Sequence, residues 1–334
     1  MEEKSFRLVG ATNKKLNEKI AKPSLNTWQS AWLRLKENKT AVVSMWFLII
    51  VIIFTIIMIP LLSQKQANQF NTNKISVYKT LPPKSGLSIP GFEGKQDGSN
   101  IYASQNVPKN KKFILGTDWN GRSIAKRSIV GLRVSLTIAL VASLGDLVIG
   151  VAYGIFSAWK GGWTDIFMQR VVEIVGSVPF IVIVTLFILL FGSGIWSVII
   201  SLILVQWINM ARQVRASTLS VKEQDYVTAS VILGESPFKI ALKDIIPNIS
   251  SVIIVQLMIT IPQSIMEEAA LSAMGLGVQP PTSSLGSMIN DAQNYFQYNP
   301  YLVMIPGSIL VIVSLAFYLF GDGLRDAFDP RLGR

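Results

Sequence analysis

A chain of 334 residues with a mean hydropathy of +0.43, half of its residues hydrophobic and only 15% charged, is too apolar for a soluble domain and too interrupted for a single anchor. It contains neither cysteine nor histidine, which excludes disulfides, zinc sites of the usual kind, thiol nucleophiles and imidazole bases. The net charge of +11 comes without any basic-aromatic motif, so it argues for orientation in a membrane and contact with anionic lipid, not for nucleic acid.

Residues 1–40 carry nine Lys/Arg and four acids, and Trp28 and Trp32 at helical spacing predict a short helix along the membrane interface. Six apolar runs follow, at 41–62, 134–156, 174–191, 195–210, 249–266 and 301–320. Each is near the ~20 residues needed to cross a hydrocarbon layer of ~30 Å. The first lies too far in and is too long for a cleaved signal peptide. An all-α protein with six transmembrane helices is predicted. With the N-terminus inside, the inner segments hold 19 of the 31 Lys/Arg, and the two short outer connections hold none. The remaining 12 fall in a connection of about 70 residues, long enough to cross regardless of charge. Both termini are therefore expected in the cytoplasm, and 63–133 outside.

That outer stretch opens with an Asn-, Lys-, Pro- and Gly-rich insert, 63–110, whose Leu81-Pro82-Pro83-Lys84-Ser85-Gly86 is turn chemistry and which reads as loosely folded. Arg122, Arg127 and Arg133 ahead of the second run read as an interfacial anchor.

Asp146 falls halfway along the second run, where an ionised carboxylate is costly unless it faces protein or water. A polar translocation path and a helix–helix hydrogen bond are both open. Gly150 and Gly154 form a small-xxx-small step that favours close helix packing. Glu267 and Glu268 fall near the outer end of the fifth run, where they either guard a mouth or are merely solvated. Glu173 has Arg170 three residues earlier, so an ordinary ion pair accounts for it. Prolines 179, 262 and 306 lie within runs, and each removes a backbone hydrogen bond.

Between the fourth and fifth runs lies a soluble-looking island, 225–248. Gly234 can take φ > 0 just past a helix, and Ser236 followed by Pro237 supplies the cap and first turn of the next. A sharp helical corner is predicted, with Pro247 ending its second helix. The chain has no G-x-x-x-x-G-K-[ST] phosphate loop, H-E-x-x-H, G-x-S-x-G or Rossmann fingerprint, so no ATP-hydrolysing machinery is evident within it.

Residues 226–248, YVTASVILGESPFKIALKDIIPN, resemble the cytoplasmic EAA-type loop of permease subunits of binding-protein-dependent ABC importers, with Gly234 at the loop's glycine and Ile246-Pro247-Asn248 at its end. Thr228 stands where the family usually has Glu, Ser230 where it has Ala, and Asp244 where its peptide-importer branch often has His. LGTDWNGRSIAKRSIVGLRVSL at 115–136, Gly161-Gly162-Trp163-Thr164-Asp165, and 268–332 with EAALSAMGLGVQPPTSSLGSMI and LFGDGLRDAFDPRL resemble the C-type permease of the oligopeptide, dipeptide and nickel family.

The resemblance implies the type I importer permease fold, with an extracellular insert between helices 1 and 2, in the cell membrane of a bacterium. Its expected units are a cytoplasmic segment 1–40, a first span 41–62, an insert and interfacial segment 63–133, a core 134–320 including a coupling loop 212–248, and a tail 321–334. It implies a B-type permease partner, two cytoplasmic ATPase subunits that bind ATP and Mg, and an extracellular peptide-binding protein, with no cofactor in this chain. Contact with the ATPase would fall on Asp225, Tyr226, Val227, Thr228, Ala229, Gly234, Glu235, Ser236 and Pro237. With Thr228 in the glutamate's place, that grip would rest on shape and apolar contact more than on charge. Asp146, Glu267 and Glu268 are the candidates for the translocation path. Peptide is the expected cargo and nickel the alternative, disfavoured by the absence of His and Cys. An ion-coupled carrier running on Asp146 and Glu267 is the less favoured class. An intramembrane enzyme is least favoured, since Asp146 shows no companion at its depth.

Overall fold

The computed structural model describes residues 27–69, 75–85, 91–96 and 98–328. The basic segment before Thr27 and the DPRLGR tail lie outside the described residues. α1 (Thr27–Glu37) lays Ala31 and Leu35 against Ala41 and Ala327, and Trp28 meets Phe328 edge-on at 5.3 Å between centroids. The two half-exposed tryptophans thus lie on a helix that braces the chain's far end as well as offering an interfacial face. α2 (Lys39–Leu61) starts where the Asn38 side chain accepts the Ala41 amide, and it exposes Val43, Ile50 and Ile57, as a helix facing lipid does.

The insert is folded more tightly than its composition suggests. It runs through α3 (Gln64–Asn68), α4 (Ile75–Tyr78), a hairpin of β1 (Lys95–Gln96) with β2 (Ser99–Asn100), and α5 (Ile101–Ser104). Leu81, Tyr102 and Val107 form its own small core, with Tyr78 and Phe113 packed against it. The Tyr102 hydroxyl donates to the Pro82 carbonyl at 3.1 Å, and burial pushes that phenol up to about 12.

α6 (Ile124–Lys160) begins ten residues ahead of the expected span. Arg122 and Arg127 are not lipid-interface anchors but members of a buried ion cluster. Asp118 takes Arg122 Nε and Arg127 Nη1, each at 2.7 Å, while Arg127 Nη2 reaches Asp291 at 2.8 Å. Two backbone amides, of Asn120 and Arg122, also donate to Asp118. Paired charges tolerate burial that single ones do not, so the helix carries its arginine inside.

α7 (Gly162–Ser177) and α8 (Phe180–Phe191) replace the single span expected at 174–191. They meet at 81° across Pro179, which has no N–H to continue the ladder. α9 (Ile195–Lys222) packs most closely on α6. A Cβ at Gly150 would sit 2.6 Å from Met210 Cβ, and one at Gly154 2.6 Å from the Ala211 carbonyl, so both glycines serve close helix packing. After α10 (Asp225–Ile232), α11 (Pro237–Ile240) and a π-helical turn at Ala241–Ile245 lead into α12 (Ile246–Ala273). α13 (Leu285–Ala292) and α14 (Tyr301–Phe328) complete the described chain. α6, α9, α12 and α14 form the central bundle, flanked by α2. Among the described residues, five helices are long and apolar enough to cross a membrane, and the number is six when the bent α7–α8 pair is taken as one broken span.

Candidate functional site

The corner at 225–248 is built from local chemistry. α10 closes with the Gly234 amide donating to the Val231 carbonyl and the Glu235 amide reaching back to Ser230, both near 3.0 Å. Such a pair is the Schellman ending, and Gly234 takes the φ of +77° that it requires. Ser236 then accepts the Lys239 amide, with Pro237 at the first helical position. Pro247 departs from expectation. It does not end the second helix, because the π turn places the Ile246 amide on the Ala241 carbonyl and lets the proline enter the first turn of α12. The Asn248 side chain donates to the Asp244 carbonyl at 2.7 Å, bracing this turn from one residue beyond the proline. Residues 237–273 thus run as one continuous rod from the corner into the membrane helix.

Val227 anchors the corner. It is 1% exposed, among Met210, Val214, Ile240, Ile245 and Ile249. The expected contact residues otherwise lie on the surface: Asp225, Tyr226, Thr228, Ala229, Gly234, Ser236 and Pro237 are exposed, and Glu235 partly so. Next to them Ile232 is 79% exposed and Leu233 82%, and Phe238 is also outside. Sequence reasoning placed Ile232 and Leu233 within the loop without selecting them. Their signal was two large apolar residues immediately before a helix-ending glycine. The Lys239 ammonium donates to Glu235 at 2.9 Å, with Lys243 3.6 Å away, and together they hold that carboxyl below the usual glutamate range. Partial burial and the nearby Asp244 raise the Tyr226 phenol. Thr228 bonds only locally, to the Gln224 carbonyl at 3.4 Å.

The base of the corner is tied to the bundle. Arg215 on α9 forks onto Asp165 of α7 at 2.5 and 2.7 Å, and Ser157 of α6 donates to the same carboxylate. Lys222 closes α9 onto the Trp159 carbonyl at 2.8 Å. Arg170 and Glu173 form the plain exposed ion pair expected of them.

The three membrane acids part company. Glu268 is fully buried inside the subunit, accepting Ser135 and Ser272 hydroxyls at 2.7 Å each, so it is a packing element and not a guard at an open mouth. Glu267, its neighbour, is half-buried. It accepts Gln206 at 2.6 Å and Gln263 at 3.0 Å, while Gln206 takes the Ser264 hydroxyl at 2.6 Å. Asp146 is completely buried, and neither of its oxygens has a partner among the described residues. The glutamines of this network carried no charge to flag them. Gln263 shares a helical spacing with 252, 256, 259 and 267 along one half-buried stripe of α12, whereas Gln206 is buried on α9.

Residues 150–334 match the family described as binding-protein-dependent transport system inner membrane component, and 26–83 match the N-terminal TM domain of oligopeptide transport permease C. The chain belongs to the permease family of binding-protein-dependent ABC importers, in its C-type branch. It is 52% identical to a dipeptide transport system permease protein of Lactococcus lactis subsp. cremoris, across 98% of this chain and 97% of that one. It is 36% identical to an oligopeptide transport system permease protein of Bacillus subtilis, across 94% and 93% respectively. The methionine ABC transporter MetNI, solved in inward-facing conformations, superposes with a TM-score of 0.51 at 21% identity, covering 60% of this chain and 94% of that one. That likeness establishes the shared fold of the permease core. The bent pair, the corner and α12–α14 of this permease fall in the first family match, and α1, α2 and α3 in the second. The insert beyond residue 83 and most of α6 lie outside both.

Proposed function

We propose that this permease imports peptides, forming half of a translocation path with a B-type permease. Two cytoplasmic ATPase subunits bind ATP and Mg and drive it, and an extracellular peptide-binding protein delivers the cargo. The corner is the coupling helix. The observation that carries this reading is its division of labour: Val227 is sunk in the bundle while Ile232, Leu233 and Phe238 present apolar surface to solvent. A rod continuous from Pro237 to Ala273 would carry displacement of that surface into α12 without a hinge at Pro247. With Thr228 in place of an acid, the ATPase would be held by shape and apolar contact.

The count of Lys/Arg supports a cytoplasmic corner and cytoplasmic termini, with the insert at 63–133 outside, in a bacterial cell membrane. The units 1–40, 41–62, 63–133, 134–320 and 321–334 stand as this topology's divisions. Half-buried Glu267 belongs to the path-lining region, while Asp146 and Glu268 are both buried in the subunit's interior. The peptide transport named for the relatives favours peptide over nickel. Among the described residues no group of three Asp or Glu is placed to hold a metal ion. Uptake of labelled dipeptide and of Ni²⁺ by vesicles holding the reconstituted importer tests the reading. Peptide uptake dependent on ATP is expected, and uptake of metal alone, or uptake without any ATPase, would overturn it.

A further inference from the structure

A cleft of about 430 Å³ opens between α9, α12 and α14, at the end of the bundle that carries the corner. Its size falls within the ~300–1,000 Å³ typical of small-ligand sites. Four polar side chains line it from three helices: Gln213 of α9, Ser251 and Gln256 of α12, and Arg325 of α14. Val255, Ile259 and Phe328 supply an apolar wall. Arg325 makes no ion pair among the described residues, although Asp322 and Asp326 share its helix, so its guanidinium is left to the cleft. The cleft is also where the half-buried stripe of α12 ends, descending from Glu267 through Gln263 and Ile259 to Gln256 and Val252.

We infer that this cleft is a subsite for the carboxylate end of a short peptide, with Arg325 as its specificity-determining residue. A guanidinium matches a carboxylate through two parallel charge-assisted hydrogen bonds. The two glutamine amides offer both donors and acceptors, as a peptide backbone requires, and the hydroxyl adds one more of each. The apolar wall receives side chains without selecting among them. Among the described residues no acid lines the cleft, so a free ammonium has no partner among them, and the end that binds is the carboxylate.

The inference rests on the peptide reading, and its test keeps the two apart. The assembled permease–ATPase complex, without the binding protein, is titrated calorimetrically with alanyl-alanine and with alanyl-alanine amide. Wild type binds the free acid about tenfold or more tightly than the amide, the size of a charge-assisted hydrogen bond. Arg325→Gln removes the preference and Arg325→Lys restores part of it. Equal affinity for the two ligands in wild type, no binding of either, or a preference that survives Arg325→Gln would overturn the subsite. ATP-dependent uptake of alanyl-alanine by the complete importer is measured alongside. Uptake without discrimination sinks the cleft alone, whereas absence of uptake by the wild-type importer sinks the peptide reading itself.

Discussion

The two ends of this bundle are held by opposite means. At the insert end, Asp118, Arg122, Arg127 and Asp291 are locked in a buried ion cluster joining the segment before α6 to α13. At the corner end, Val227, Ile240 and Ile245 are buried and a face of isoleucine, leucine and phenylalanine is left to solvent. Charge pairs out of water tolerate little displacement, because a shifted partner leaves an uncompensated charge. Apolar contact is non-directional and keeps its strength as surfaces slide. One end is therefore locked in place, and the other is the one we propose the ATPase grips and moves.

The largest expected effect breaks the fixed end. Asp118→Ala leaves two buried guanidinium groups to share Asp291 alone and costs about 3 kcal/mol, read as a lowered thermal midpoint of the purified complex. Next is Gly154→Val, whose side chain meets the Ala211 carbonyl and Arg215 amide of α9. Overpacking there costs about 1–3 kcal/mol by the same measurement.

Gly234→Val acts at the corner end. No atom lies within 4 Å of an added Cβ, so the cost is conformational strain at φ +77°, about 1–2 kcal/mol. Its signature is ATP hydrolysis that persists while uptake falls, and undiminished uptake would show that the corner is not the coupling element. The smallest effect is electrostatic. Glu235 is held ionised by Lys239 and Lys243, so its support for the corner is complete above the ordinary glutamate range and fades as pH falls from there through its lowered folded value. Glu235→Gln should flatten that acid limb of a stability profile, by removing the support at neutral pH and leaving the acid end, where Glu235 is already protonated, unchanged.

What the sequence disclosed follows the same division. The corner was legible because its cause is local: Gly234, Ser236 and Pro237 state an ending and a beginning within four residues. Pro247 misled because a proline in the first turn of a helix and one that stops a helix are the same residue until the π turn before it is seen. Arg122 and Arg127 misled because the Asp291 that pairs with them lies 169 and 164 residues away, and without it they look like lipid anchors. Asp146 is a different case, since neither of its oxygens finds a partner among the described residues even with the packing of the bundle in view. The break at Pro179 was marked by the proline itself, but its 81° was not.

Because the chain has no cysteine, Ile232→Cys places a single reactive thiol on the face the account assigns to the ATPase. Ile232 is 79% exposed, so the substitution should change stability by no more than about 0.5 kcal/mol. Tyr298→Cys, at a 73% exposed residue beyond α13, is the control at the other end. Maleimide labelling is then followed in membranes holding the permease pair with and without its ATPase subunits. The account predicts that adding the ATPases slows labelling at 232 about tenfold or more and leaves 298 unaffected. Equal labelling of 232 in both preparations would contradict it.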